Sequence, residues 1–190
     1  LRETNQEENT VIFFLSDNGG PSEGEGRNGS NNSPLRGAKG SFWEGGIRVP
    51  FAAQWKGKIH AGTTYTPPVS ALDISATTVA LAQAKVPDRQ PLDGVNLIPH
   101  VRGEAAGNPH EALYWRLGKR GAIRQGDWKL ILNDGVPSLY NLAADLREQT
   151  DLAQKEPAKV QSLQKLYAAW DGQLVNCLLY TSPSPRDATL

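Results

Sequence analysis

Apolar positions change their rhythm along the chain, and each rhythm predicts a different element. Thr10-Val11-Ile12-Phe13-Phe14-Leu15 is an unbroken β-branched and aromatic run, closed by Ser16-Asp17-Asn18-Gly19-Gly20. Continuous rather than alternating apolarity predicts a central parallel strand buried on both faces. Residues 19–40 are then rich in Gly, Ser, Asn, Pro and charge, a loop too long to be a mere connector and placed where a strand ends, as functional loops usually are. Val49-Pro50-Phe51-Ala52-Ala53-Gln54-Trp55 predicts a second strand, followed by a turn at Lys56-Gly57-Lys58. Asp73 stands at an N-cap position ahead of a helix over 74–84, with Pro87 beyond its end.

From Ala112 onward the pattern shortens. Runs over 112–117, 121–125, 128–132 and 138–142 are separated by Gly118-Lys119, Gly126-Asp127 and Asn133-Asp134-Gly135. Such spacing leaves no room for helical crossovers, so the four strands should pair as an antiparallel meander. Val160, Leu163, Tyr167, Trp170 and Leu174 recur at intervals of three and four, one apolar stripe of an amphipathic helix opened near Pro157. That helix should cover one face of the meander, with Trp128, Tyr140, Tyr167 and Trp170 in the core between them. The expected organisation is an α/β portion over 1–110, a small sheet-plus-helix subdomain over 111–176, and a tail over 177–190. The tail has neither period and carries Ser182-Pro183-Ser184-Pro185-Arg186. It reads either as a non-native, adapter-derived translation or as an ordinary disordered Ser-Pro segment.

Composition trims the possibilities. Twenty Lys and Arg balance 20 Asp and Glu, with a pI of about 7.0, so there is no broad basic footprint for nucleic acid or anionic membrane and any anion recognition must be local. One cysteine excludes an internal disulfide and a thiolate metal cluster. No apolar run approaches the length of a membrane-spanning helix. A sequence that opens Leu1-Arg2-Glu3-Thr4 and contains no methionine reads as an internal piece of a longer protein.

Two groups of residues could carry chemistry. Asp17 and Asn18 close the first strand, and their oxygens suit a hard cation, Ca²⁺ or Mg²⁺; Asp-Asn-Gly-Gly is equally the signature of a plain turn. Lys39 sits between glycines in Leu35-Arg36-Gly37-Ala38-Lys39-Gly40-Ser41-Phe42-Trp43-Glu44-Gly45-Gly46-Ile47-Arg48-Val49-Pro50, where its ammonium is a compact donor for a tetrahedral oxyanion such as a sulfate or phosphate ester. Arg36 and Arg48 are expected to pair with Glu44 as scaffold. No G-x-x-x-x-G-K-[ST] spacing occurs, so P-loop chemistry is unsupported.

Ser16-Asp17-Asn18-Gly19, with Lys39 22 residues after Asp17 inside that glycine-rich segment, closely resembles the sulfatases, particularly the arylsulfatase A-like branch. The similarity continues through Leu72-Asp73-Ile74, Leu92-Asp93-Gly94-Val95-Asn96-Leu97, Ala122-Ile123-Arg124-Gln125-Gly126-Asp127-Trp128-Lys129-Leu130-Ile131 and Ser138-Leu139-Tyr140-Asn141-Leu142 with the segment from Glu148 to Ala153. These look like the carboxyl-terminal half of such enzymes. The resemblance implies an alkaline-phosphatase-like α/β fold with a small antiparallel subdomain packed by a terminal helix. It implies that Asp17 and Asn18 are metal ligands, usually for Ca²⁺, and that Lys39 is both substrate-binding and catalytic, gripping the sulfate and stabilising charge on the leaving oxygen.

The family nucleophile is a formylglycine made from a C/S-x-P-x-R motif near the amino terminus, and no such motif occurs before residue 177. The expected function is therefore that of part of a sulfate-ester hydrolase acting on aryl or carbohydrate sulfates, inactive by itself. The alternatives are a phosphonate or phosphate ester hydrolase of the same superfamily and a non-catalytic anion-binding homologue. The family resemblance also suggests a periplasmic or secreted location. His60, His100 and His110 match no catalytic motif and are expected to be surface or packing residues.

Overall fold

The computed structural model describes residues 1–21, 29–89 and 91–174; the tail over 177–190 lies outside the described residues. A 3-10 turn at Glu7–Asn9 leads into β1 (Ile12–Leu15), followed by a single helical turn α1 (Glu44–Ile47), β2 (Phe51–Gln54), α2 (Leu72–Leu81) and α3 (Ile98–Val101). The second part holds β3 (Leu113–Leu117), β4 (Arg120–Gln125), β5 (Trp128–Asn133), β6 (Val136–Asn141) and α4 (Pro157–Asp171).

The meander forms as its turn signals predict. Its order is β3-β4-β5-β6, antiparallel throughout, with Tyr114 opposite Ile123, Ile123 opposite Leu130 and Leu130 opposite Leu139. Asp134 and Gly135 both take positive φ, 48° and 86°, the twist that a two-residue hairpin needs to match its strands. Strand alternation gives the sheet two covered faces. On one, Ile123, Leu130 and Leu139 pack against Val160 and Leu163 of α4, flanked by Trp128 and Tyr167. On the other, Ala122, Ile131 and Tyr140 lie beneath Phe42 and Trp43. Tyr140 thus belongs to the face opposite α4, correcting the single-core expectation: it meets the Trp43 ring edge-on with centroids 5.2 Å apart. Its odd-even register with Leu139 forces that choice. Trp170 stacks on Tyr114 at 4.9 Å, and α4 ends at Asp171, before Leu174.

The first strand departs from expectation. β1 pairs antiparallel with β2, from Ile12 opposite Gln54 to Leu15 opposite Phe51, and is not buried on both faces. Phe13 leans on Phe51, centroids 6.2 Å apart, while Ile12 and Phe14 on the other face are 42% and 70% exposed. Among the described residues, β1 and β2 form a sheet of two strands only. The apolar run reports what the strand is built to bury, and nothing described here covers that second face. Helix α2 begins at Leu72, so Asp73 lies within its first turn rather than at the N-cap. Its fully buried carboxylate accepts the Ser70 and Val95 amides at 2.7 and 2.9 Å and meets His110 Nε2 at 2.9 Å, joining three segments.

The two parts are fastened by a buried charge cluster. Lys129, on the Trp43-covered face of β5, is fully buried, and its Nζ lies 2.8 Å from Glu44 Oε1 and 2.7 Å from Glu148 Oε1. Glu148 Oε2 accepts the Glu44 backbone amide at 2.7 Å. Arg48 and Arg124 approach Glu44 Oε2 at 3.4 and 3.8 Å. Arg48 therefore pairs with Glu44 as predicted, but Arg36 does not. Its guanidinium donates to the Glu148 carbonyl at 2.7 Å and lies 3.7 Å over the Trp43 ring.

Replacing Lys129 by Met would leave two carboxylates facing each other without their shared cation. Urea unfolding should show a loss of about 3–5 kcal/mol, the range for breaking a buried pair. Burial pushes the Glu148 carboxyl up, against the opposing pull of Lys129. A folded pKa above the unfolded value means the native state holds the proton more tightly, so this group's contribution to stability declines as pH rises through the carboxylate range. The stability of Glu148→Gln relative to wild type should therefore improve between about pH 4 and 7; a difference that stays flat across that range would refute the assignment.

Candidate functional site

The site is built from two loops that the backbone stitches together. The Ser16 amide continues the β1–β2 pairing by donating to the Pro50 carbonyl at 3.2 Å, and Ser16 Oγ donates to the Asn18 carbonyl at 2.8 Å. Asp17 and Asn18 follow at the strand's end, with the Asn18 side-chain Nδ2 donating to Asp17 Oδ1. Gly19 then donates to the Gly46 carbonyl at 2.9 Å. Gly19 is required here: a Cβ would fall 1.7 Å from the Gly45 carbonyl oxygen, so no side chain can pass between this loop and α1.

Lys39 arrives from the other direction. Its amide donates to the Gly20 carbonyl at 3.3 Å, setting the lysine backbone beside the loop that begins at Asp17. Asn32 clamps the crossing. Its Oδ1 accepts the Gly20 amide at 2.9 Å, while its Nδ2 donates to the carbonyls of Gly20 and Gly37 at 2.8 and 3.2 Å. Gly37, at φ 86°, turns the chain into Ala38-Lys39, and Ser41 Oγ closes that turn by donating to the Ala38 carbonyl at 2.7 Å. The Gly45 amide donates to the Arg36 carbonyl at 2.7 Å. Each end of the Lys39 loop is thereby held to Glu148, through Arg36 at one end and Glu44 at the other.

The loops are rigid in backbone and open in side chain. Asp17 and Lys39 are exposed, and among the described residues neither enters an ion pair. A carboxylate and an amide oxygen fit a hard cation, but they supply two ligands where Ca²⁺ takes six to eight. Among the described residues there is no group of three or more His, Cys, Asp or Glu that could hold a metal, so the pair fits such an ion as part of a larger donor set. His110 is engaged with Asp73, away from these loops in its bonding.

Sequence reasoning brought Asp17, Asn18 and Lys39 forward but missed the residues that hold them. Nothing in Ser30-Asn31-Asn32-Ser33 distinguishes Asn32 from Asn31 before folding. Lys129 did leave a signal: in Trp128-Lys129-Leu130-Ile131 it shares a strand face with apolar Ile131, and a lysine on a covered face needs a carboxylate.

The comparisons with known proteins agree with this architecture. The family model described as Sulfatase matches residues 1–84. Mouse steryl-sulfatase is 38% identical over 109 residues, 55% of this chain and 18% of that protein. The crystal structure of Ps i-CgsB in complex with k-i-k-neocarrahexaose is 38% identical, with a TM-score of 0.78 over 90% of this chain and 38% of that one. A phosphonate monoester hydrolase of Agrobacterium radiobacter, 24% identical, shares the fold alone, with a TM-score of 0.68 over 98% of this chain and 40% of that one. The chain spans about a fifth of the length of the curated relatives and about two fifths of these solved chains. The chain is therefore similar to the sulfatases over part of their length and has their alkaline-phosphatase-like fold.

Proposed function

We propose that the protein to which this segment belongs hydrolyses sulfate esters, aryl or carbohydrate. The observation that supports this most directly is the Asn32 clamp with the Lys39–Gly20 backbone bond, which sets the backbone of Lys39, exposed and without an ion pair among the described residues, beside the loop that begins with Asp17 and Asn18. In this reading Asp17 and Asn18 contribute to holding Ca²⁺ or Mg²⁺, which when bound would neutralise charge on the ester oxygens. Lys39 donates to the sulfate and to the oxygen that departs with the alcohol or phenol. Because its loop is fixed before substrate arrives, little reorganisation opposes that donation. The nucleophile, expected to be formylglycine, and the remaining metal ligands belong to the rest of the site, and the location that the family resemblance suggests is periplasmic or secreted. A sulfated carbohydrate substrate is favoured by the relative solved with a neocarrahexaose.

In the full-length enzyme, Asp17→Ala should abolish most activity and reduce bound Ca²⁺ measured by elemental analysis, with Asn18→Ala milder because it removes a neutral ligand. Unchanged turnover and metal content would return the pair to a plain turn. Residues 1–176 alone should show no aryl sulfate turnover above a Lys39→Ala control.

Lys39→Ala should lower kcat/KM by about 2–4 kcal/mol, as for loss of a preorganised donor. The kcat defect should grow with the pKa of the leaving phenol, and Lys39→Arg should rescue poorly because a planar fork replaces a point donor. Near wild-type kinetics in Lys39→Ala would remove it from the site. Assays on matched sulfate, phosphate and phosphonate esters separate this reading from the phosphonate hydrolase whose fold is shared; preference for the phosphorus esters would replace it.

Asn32→Ala strands the Gly20 amide and two carbonyls. It should cost about 1–3 kcal/mol in stability and lower kcat/KM although Asn32 is assigned no contact with the reacting atoms.

A further inference from the structure

Beyond the loops just described, a cleft of about 620 Å³ opens where the start of the Lys39 segment meets the turn after β6. Its lining is Ser33, Pro34, Arg36, Arg147 and Gln149. Two arginines line this space, and among the described residues no carboxylate does. The chain is neutral overall, so paired cations without an anion are a local feature rather than a consequence of composition.

The two arginines differ in how they are held. Arg36 is fixed by its bond to the Glu148 carbonyl and by the Trp43 ring beneath it, and it also interacts with the Tyr140 hydroxyl, so its five N–H donors are only partly used. Arg147 makes no ion pair or side-chain hydrogen bond among the described residues, and its neighbour Glu148, which would be its nearest acid in sequence, is turned inward to Lys129. Asp145, two residues before Arg147, is likewise spent, its carboxylate accepting the Gln149 and Thr150 amides at 2.7 and 2.8 Å. The fold therefore withdraws both local carboxylates from the cleft. What remains is a planar, weakly hydrated pair of cations with a side-chain amide and a hydroxyl beside them, donor chemistry matched to sulfate or carboxylate oxygens. Arg36 lies three residues before Lys39 on the same fastened loop, so a ligand in the cleft and a group at Lys39 are read by one rigid segment.

We propose that this cleft is a second anion subsite, which takes a sulfate or carboxylate on a neighbouring sugar of a polyanionic oligosaccharide while the scissile sulfate lies at Lys39. The proposal rests on the sulfate-ester reading and narrows its substrate class from aryl esters to saccharides bearing more than one anionic group. The interaction is a polar, salt-sensitive one, and it selects for the spacing of charges along the saccharide rather than for any single sugar.

The test is isothermal titration of the 190-residue chain with three hexaoses: a sulfated galactan free of carboxylate, the same galactan desulfated, and an oligogalacturonate. The sulfated hexaose should bind and its desulfated form should not. Arg147→Ala should weaken binding at least tenfold, Arg147→Lys should recover part of it, and Arg147→Glu should abolish it. Arg147 is exposed, and an unchanged circular dichroism spectrum shows that each variant keeps the fold. Binding of the oligogalacturonate with the same Arg147 dependence would assign the subsite to carboxylates, and its failure to bind would assign it to sulfates. Lys39→Ala separates the two claims. If Arg147→Ala leaves affinity intact while Lys39→Ala weakens it, the subsite is wrong and the sulfate-ester reading stands. If only Arg147→Ala weakens binding, the cleft is an anion site and the role given to Lys39 fails. Absence of binding by the wild-type chain at millimolar sulfated hexaose, or equal binding of the desulfated form, overturns the subsite.

Discussion

A fully buried ammonium held between two carboxylates is the constraint on which the rest of the molecule depends. Lys129 comes from the middle of the four-stranded sheet, Glu44 from the first turn of α1 and Glu148 from the segment after β6. Each charge alone would be costly to desolvate, so the sheet and the α1 segment are stable together only while all three meet. An apolar contact tolerates sliding; this one does not, because a displacement of an ångström or two leaves a buried ion short of its partner. Glu148 extends that constraint outward, accepting the Glu44 amide with its side chain and the Arg36 guanidinium with its carbonyl.

The candidate site lies at the other end of this chain of bonds, and its polarity is reversed. Inside, charges are paired and dry. Outside, Asp17 and Lys39 are exposed on loops whose backbones are pinned. Glycine permits the arrangement, because the strand-end loop approaches α1 so closely that Gly19 has no room for a side chain. Rigid backbone with free charged tips is the economical way to prepare an anion site, since ordering of the loop is completed during folding rather than during binding.

Apolar surface tells a complementary story. The meander is covered on both faces, by α4 and by the Phe42-Trp43 segment, whereas β1 shows Ile12 and Phe14 to solvent among the described residues. The site therefore sits between a finished body and an unfinished sheet. The finished side supplies positional accuracy through Lys129, and the strand that carries Asp17 and Asn18 keeps a face available for further packing.

Much of this was legible in the linear pattern. Turn residues marked all four meander strands to within a few residues, and the three-four stripe marked α4, because period and turn chemistry are local properties of the chain. The motif around Lys39 and the pair Asp17-Asn18 likewise stood out by residue type and order, and the fold sets their two loops side by side. What folding alone decided were the partnerships. Strand parity placed Tyr140 on the far side of the sheet from α4, where Trp43 could meet it; Arg36 went to the Glu148 carbonyl, 112 positions away in sequence, instead of to nearby Glu44. The direction of pairing of β1 and the role of Asn32 also had no local signature. Residue type determines what a side chain can do and periodicity determines which way it points, but the identity of its partner depends on which distant segments the fold brings within 3 Å, and short-range patterns carry no record of that distance.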